Sequence, residues 1–136
     1  MGRILGIDYG LKRTGLAVTD PLCIIVNGLD TVPTVDLIAY LQHYFMENAV
    51  DKLVLGYPAT NSSQVNEMGV QIMKFQKTLE TRFPAIEVVL FDERKTSIQA
   101  MEIMVKSGIR KSQRRDKAMI DKLSAVLILQ KYLGHI

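Results

Sequence analysis

The N-terminal stretch MGRILGIDYGLKRTGLAVTD, from Met1 to Asp20, predicts a strand, a turn and a second strand. Its first apolar run is short and β-branched and ends in the carboxylate of Asp8, and a second run resumes at Thr14. Alternation along a strand puts Ile4, Gly6 and Asp8 on one face. A carboxylate on the buried half of a central strand is costly unless a cation, a metal ion or hydrogen bonds compensate it. We therefore interpret Asp8 as the first ligand of a metal-dependent phosphate chemistry.

The rest of the chain predicts an α/β fold built on a mixed sheet. A third strand is expected at Cys23 to Val26, joined to the second by a connection too short for a crossover, so the first three strands are antiparallel. Apolar periodicity then predicts strands at 52–56 and 86–91 and helices at 35–48, 65–82 and 116–133, with a further helix after Thr96. This order predicts a five-stranded sheet, three antiparallel strands followed by two βα-linked strands, with helices on both faces and residues 1–136 as one domain.

Composition excludes several classes of protein. The chain has 136 residues, of which 48% are hydrophobic and 23% charged, as is usual for a soluble globular domain. Its one cysteine, Cys23, excludes an internal disulfide framework and is expected to be a packed thiol. The two histidines do not form a zinc-ligand pattern and are expected at the surface. No apolar run is long enough to cross a bilayer and the N-terminus has no signal-peptide pattern, so we expect a cytoplasmic protein.

Positive charge is concentrated in the C-terminal third of the chain. The net charge is +3, and nine of the seventeen lysines and arginines lie between Arg94 and Lys122, where only three acidic residues occur. Such asymmetry suits a surface that binds polyanions, because phosphate contacts dominate the affinity for nucleic acid. A solvated basic loop between helices is the alternative explanation.

Three acidic positions are candidates for one site. Besides Asp8, the pair Asp92 and Glu93 ends the last predicted strand, where open α/β sheets commonly bind ligands. Asp121 lies in the last predicted helix, on a face of small and apolar residues that allows close approach to the sheet. Three converging carboxylates would suit Mg²⁺ or Mn²⁺. Each acid also has a simpler explanation. Asp8 could be a turn residue, and Asp121 could pair with Lys117. Asp92 or Glu93 could form an ion pair with Arg94 or Lys95.

Motifs along the whole chain carry a resemblance to a known family. They are GIDYG at 6–10 with Lys12-Arg13, GLAV at 15–18, VLGYP at 54–58, FDERKT at 91–96, and KAMID at 117–121 followed by Ser124-Ala125 and Ile128-Leu129. In these motifs the chain resembles the YqgF/RuvX family of ribonuclease-H-like proteins, described as Holliday junction resolvases and as pre-16S rRNA nucleases. The resemblance implies a ribonuclease-H-like fold and an acidic, metal-binding site at Asp8, Glu93 and Asp121. Asp92 stays open as an alternative to Glu93, because alternation puts the two on opposite faces.

On this basis we predict a metal-dependent nuclease that acts on structured nucleic acid and processes the 5′ end of pre-16S rRNA. The alternatives are a resolvase of four-way DNA junctions, a non-catalytic binding module of the same fold, and a fragment of an actin- or sugar-kinase-type ATPase. Basic residues expected to hold phosphates are Lys12, Arg13, Arg94, Arg110, Lys111, Arg114, Arg115 and Lys117. Expected partners are nucleic acid and pre-ribosomal particles, with no membrane. The sequence does not decide whether the substrate is RNA or DNA, or whether the protein is a monomer or a homodimer.

Overall fold

The described part of the chain is built on one five-stranded mixed sheet. The computed structural model describes residues 2–57, 63–92 and 117–135. The strands are β1 (Arg3–Asp8), β2 (Arg13–Thr19), β3 (Val26–Pro33), β4 (Val50–Tyr57) and β5 (Glu87–Asp92), in the order β3-β2-β1-β4-β5. Strand β2 pairs antiparallel with both β1 and β3, whereas β4 pairs parallel with both β1 and β5. This arrangement confirms the predicted three antiparallel strands followed by two βα-linked strands.

Helices cover both faces of the sheet, as predicted. A short 3₁₀ helix (Thr34–Asp36) leads into α1 (Leu37–Glu47), α2 is Ser63–Arg82 and connects β4 to β5, and α3 is Lys117–Tyr132. The ends of α1, α2 and α3 all agree with the predicted helices to within two residues. The helix predicted after Thr96 lies outside the described residues.

Alternation along β1 divides the core between the two faces. Leu5 and Ile7 are fully buried in a cluster that includes residues of α1 and α2, namely Leu37, Leu41, Ile72, Phe75 and Leu79. The opposite face packs against α3, where the buried cluster is Ala17, Val54, Ala125, Ile128 and Leu129. Full burial of one such leucine or isoleucine side chain contributes about 1.5–3 kcal/mol to folding. Both layers of helices are therefore held to the sheet mainly by apolar burial.

Helix α3 lies unusually close to the sheet because small residues line both surfaces. Ser124 and Ala125 are fully buried. A Cβ atom added at Gly6 would lie 2.6 Å from Leu129 Cγ and 3.2 Å from the carbonyl oxygen of Ala125. The predicted close approach of the small-residue face of this helix is therefore confirmed. The absent side chain of Gly6 leaves the space into which Leu129 packs.

The predicted third strand is wrong in its position. The strand begins at Val26 and continues through Gly28 to Pro33, whereas Cys23 lies in a turn with a left-handed φ of 58°. The Asp20 carboxylate accepts hydrogen bonds from the backbone N–H groups of Ile24 and Ile25 at 2.7 and 2.8 Å. These bonds turn the chain, and they leave the apolar side chains of Ile24 and Ile25 exposed instead of paired in a sheet.

Within the described ranges, every helix is too short or too polar to span a membrane.

Candidate active site

The parallel strands of the sheet end at one edge, and that edge carries two of the predicted acidic positions. Asp8 is the last residue of β1 and Asp92 the last of β5, with Tyr57 at the end of β4 between them. In the ladders, Ile7 pairs with Leu55, and Tyr57 pairs with Asp92. Strands that are two places apart lie about 10 Å from each other. The end of β5 is therefore near enough for a residue there to share a ligand with Asp8.

Asp8 and the backbone of Asp121 both adjoin Gly15, on the face of the sheet that α3 covers. Asp8 pairs with Gly15 across the β1–β2 ladder, so these two residues share a face. A Cβ atom at Gly15 would overlap the backbone carbonyl of Asp121 and lie 2.8 Å from the amide nitrogen of Lys122. The absent side chain of Gly15 thus leaves room for the backbone of α3 at Asp121 next to the residue that pairs with Asp8. The structure therefore places Asp8 and the helix backbone at Asp121 on either side of Gly15, on the same face of the sheet.

The Asp121 carboxylate has a cationic partner on β2. Arg13 Nε donates a hydrogen bond to Asp121 Oδ2 at 3.0 Å, and the two side chains are 38% and 24% exposed. Lys117, the partner expected from the sequence, lies one turn earlier in the same helix. Alternate residues of a strand share a face, so Arg13 and Gly15 lie on the same face of β2 as Ala17, which packs against α3. This alternation is visible in the sequence and indicates that Arg13 faces the last helix.

The turn between β1 and β2 is held by Thr34, a residue that was not among the predicted site residues. The Thr34 backbone N–H donates to the carbonyl of Lys12 at 3.0 Å, and its hydroxyl donates to the carbonyl of Gly10 at 2.5 Å. The same hydroxyl shares a 2.9 Å hydrogen bond with the buried hydroxyl of Thr14. Next to this turn, Tyr9 stacks on Phe75 with ring centroids 4.7 Å apart. The segment that carries Lys12 and Arg13 is therefore fixed in position before any ligand binds.

The other predicted site residues are only partly covered by the structure. Lys12 is exposed on the β1–β2 turn, and Lys117 is the first residue of α3. Six predicted residues lie outside the described part of the chain, namely Glu93, Arg94, Arg110, Lys111, Arg114 and Arg115. Both histidines, His43 and His135, are exposed as predicted.

The chemistry of the donor set fits a hard divalent cation. Asp8 and Asp121 contribute carboxylate oxygens from a strand end and a closely packed helix, and such oxygens are the ligands that Mg²⁺ and Mn²⁺ prefer. Within residues 2–57, 63–92 and 117–135, no group of three or more His, Cys, Asp or Glu side chains is gathered as a metal site. Asp8 and Asp121 are therefore two candidate donors, and the described residues by themselves complete no three-ligand site.

A family model described as RuvX, Holliday junction resolvase, matches residues 2–135. The chain belongs to the RuvX family. Curated relatives in this family include a protein of Porphyromonas gingivalis that is 50% identical over 135 residues, covering 99% of this chain and 98% of the relative. Another, from Bacteroides fragilis, is 42% identical over 133 residues, covering 98% and 96% of the two chains. Both are named "Putative pre-16S rRNA nuclease".

Solved structures support the fold independently of sequence. A Thermus thermophilus RuvC in complex with a Holliday junction substrate matches with a TM-score of 0.59 at 15% identity, covering 98% of this chain and 97% of the other. The fowlpox virus Holliday junction resolvase matches with a TM-score of 0.56 at 12% identity, covering 98% and 99%. The predicted ribonuclease-H-like fold is therefore confirmed.

Proposed function

We propose that the chain is a divalent-metal-dependent nuclease that hydrolyses phosphodiester bonds in structured RNA and processes the 5′ end of pre-16S rRNA. The observation that supports it best is the placement of Asp8 beside Asp121, where Gly15 admits the helix backbone. Carboxylates held close to one another favour a bound cation, because the cation relieves their mutual repulsion. Their position at the carboxyl edge of the parallel strands is also where open α/β sheets bind ligands.

We propose Glu93 as the third carboxylate. Phe91 packs on the α3 face of the sheet, among the cluster that includes Val54 and Ile128. Because residues two apart on an extended strand share a face, continuation of β5 by one residue favours Glu93 over Asp92 for the face of Asp8. Glu93 itself lies outside the described residues, so this assignment rests on the alternation. Together Asp8, Glu93 and Asp121 would hold Mg²⁺ or Mn²⁺, which when bound supplies an activated water and stabilises the charge that develops on the phosphate oxygens.

Basic residues around the acidic site would bind the phosphate backbone of the substrate. Lys12 lies on the turn that Thr34 fixes, and Arg13 follows it as the first residue of β2. We propose that further phosphate contacts come from Arg94, Arg110, Lys111, Arg114, Arg115 and Lys117, which are close in sequence to Glu93 or Asp121. Such contacts determine affinity and the position of the backbone, whereas they carry no information on RNA against DNA.

Ribosomal RNA is favoured as the substrate by the names of the relatives that match nearly the whole chain. Pre-ribosomal particles in the cytoplasm would then be the place of action, with residues 1–136 acting as one domain. Cleavage of four-way DNA junctions is the second candidate, favoured by the description of the family and by the RuvC complex with a junction. A junction resolvase would need two sites, hence a homodimer, whereas an rRNA-processing enzyme is able to act as a monomer.

Cleavage assays on a pre-16S rRNA fragment and on a four-way DNA junction, each with Mg²⁺, Mn²⁺ or a chelator, test this proposal. Wild type should cleave the RNA in a metal-dependent way. Asp8→Asn keeps the shape of the side chain and removes its charge. It should lower the rate by more than the roughly 10- to 100-fold that is lost when a residue hydrogen-bonded to a metal ligand is replaced. The matched control is Asp36→Asn, since Asp36 is an exposed acid at the start of α1.

The outcomes separate the parts of the proposal. Cleavage of neither substrate with either metal contradicts the nuclease function, and cleavage of the DNA junction alone favours the second candidate. If Asp8→Asn cleaves as fast as wild type, the assigned site is wrong.

A further inference from the structure

The contact between Arg13 and Asp121 has a consequence for how a cation and a nucleic acid share the proposed site. Arg13 is the first residue of β2, next to Lys12, where the proposed function places a substrate phosphate, yet its guanidinium binds the Asp121 carboxylate. One guanidinium therefore has two possible anionic partners, the Asp121 carboxylate and a phosphate of the substrate. It cannot offer the same donor to both.

The geometry of the contact favours exchange between these partners. The bond joins one donor, Nε, to one carboxylate oxygen, Oδ2, at 3.0 Å, whereas a guanidinium has five N–H donors. The Arg13 side chain is 38% exposed, so its end reaches solvent without any rearrangement of the sheet. Its backbone, in contrast, is held at the start of β2, beside the turn that Thr34 fixes. The side chain is thus able to move while its point of attachment stays in place.

Electrostatics gives the direction of the exchange. In the protein alone, the positive charge of Arg13 neutralises the Asp121 carboxylate and so lowers its repulsion of Asp8, which lies on the sheet face that α3 covers. A divalent cation held by these carboxylates would replace that charge and repel the guanidinium. The released guanidinium would then bind a phosphate, for which its planar fork of donors is well suited.

We infer that Arg13 is a positioning residue that acts as a stand-in cation at Asp121 and is transferred to a substrate phosphate when a divalent cation binds. This inference rests on the proposed function and adds a coupling to it. Because coupling between two ligands is reciprocal, the cation tightens nucleic-acid binding and nucleic acid tightens cation binding, each by the same factor. The same contact makes Arg13 a competitor of the cation for Asp121.

The first test measures cation binding without any nucleic acid. Mn²⁺ is titrated into wild type, Arg13→Gln, Arg13→Lys and Arg82→Gln, with the shift in Tm and calorimetry as readouts. Arg82 is an exposed arginine at the end of α2, next to the start of β5 and so at the opposite edge of the sheet from Asp8. Arg13→Gln should bind Mn²⁺ about three- to tenfold more tightly than wild type, because the competing charge is gone. Arg13→Lys, which keeps the charge, and Arg82→Gln should bind it as wild type does.

The second test measures the coupling. Binding of a labelled pre-16S rRNA fragment is measured with EDTA and with Ca²⁺ in place of Mg²⁺, and the probe is checked afterwards to be intact. Ca²⁺ should tighten binding to wild type by about three- to tenfold. In Arg13→Gln this factor should fall to about one, as expected if the released guanidinium is what makes the added phosphate contact.

The outcomes distinguish failure of this inference from failure of the proposed function. Wild type that binds no divalent cation contradicts both. Wild type that binds Mn²⁺, with Arg13→Gln binding it equally or more weakly, overturns the inference alone. An Arg13→Gln variant that loses the same affinity for nucleic acid with and without Ca²⁺ also overturns it, because Arg13 would then bind phosphate whether or not the cation is present.

Discussion

Gly15 determines how closely α3 approaches the sheet beside Asp8. Its position in the β1–β2 ladder faces Asp8, and its missing side chain is replaced by the backbone carbonyl of Asp121. Any larger residue would have to displace a helix backbone, which is far stiffer than a side chain. The carboxylate geometry of the proposed site therefore depends on a residue that carries no functional group.

Gly15→Ala should lower the free energy of unfolding by about 1–3 kcal/mol, the usual cost of overpacking a core. It should also reduce the Tm increase that Mn²⁺ produces, because the helix that carries Asp121 is pushed away from Asp8. Urea denaturation and Mn²⁺-dependent melting measure the two effects.

Gly28→Ala is the matched control for this change. The three atoms nearest to a Cβ atom at Gly28 all belong to the side chain of Lys122, with its Cγ at 2.9 Å, and that side chain is able to turn aside. This variant should lose less than about 1 kcal/mol and keep the full response to Mn²⁺. Equal losses in the two variants would contradict the role assigned to Gly15.

At the scale of elements, the connection between β2 and β3 is shaped by a side chain rather than by apolar pattern. Asp20 accepts the N–H groups of Ile24 and Ile25, and the hydrogen bond from Ile25 is the largest of the influences that lower the pKa of its carboxyl below the ordinary 3.8. A lowered pKa in the folded state means that ionised Asp20 favours folding. That contribution is present above pH 3.8 and is lost as the pH falls through the folded-state pKa.

Asp20→Asn should therefore lower the Tm slightly at pH 7, by a difference that shrinks as the pH falls below 4. Asparagine keeps an oxygen that accepts the two bonds, so the variant removes the charge alone. Asp20→Ala removes the acceptor as well and should melt at a lower temperature than Asp20→Asn at pH 7. Thermal melts from pH 7 to pH 3 test both, and a difference between wild type and Asp20→Asn that grows on acidification would contradict the assignment.

The same elements show what the sequence was able to predict. Strands β1 and β4 are central and carry clear apolar runs, and α3 shows its small face directly in Ser124 and Ala125, so their positions followed from local pattern. Strand β3 is an edge strand with Val32 as its one buried residue, and its ladder with β2 shifts register near Leu29. No periodicity was present there to predict it. The Arg13–Asp121 contact joins residues 108 apart. Alternation along β2 indicates the face on which Arg13 lies, whereas only the fold brings that face to Asp121.

At the scale of the whole molecule, the uneven distribution of charge matters more than the net value of +3. Helices α1 and α2 pack on one face of the sheet. Helix α3, which carries Asp121, packs on the other face, the one that carries Asp8. The basic stretch from Arg94 to Lys122 runs in sequence from the end of β5 into α3. In sequence it joins the two elements that flank the proposed site, and for this reason we propose it as the surface that binds the polyanion.

Replacing Arg114 and Arg115 together by alanine should weaken binding of nucleic acid and reduce its dependence on salt. Both residues lie outside the described part of the chain, and their proposed role is to neutralise phosphates. Each phosphate contact contributes about 0.7–0.9 to the slope of log affinity against log salt concentration, so the slope should fall by roughly one to two. The slope is measured by filter binding or fluorescence anisotropy at KCl concentrations from about 50 to about 300 mM.

The matched control is Lys74→Ala with Lys77→Ala. It removes the same charge from the exposed side of α2, on the other face of the sheet, and should leave the slope nearly unchanged. Equal slopes for the arginine variant and wild type would mean that the two arginines are solvated and contact no phosphate, whereas equal losses in both double variants would mean that net charge, rather than a defined surface, determines the affinity.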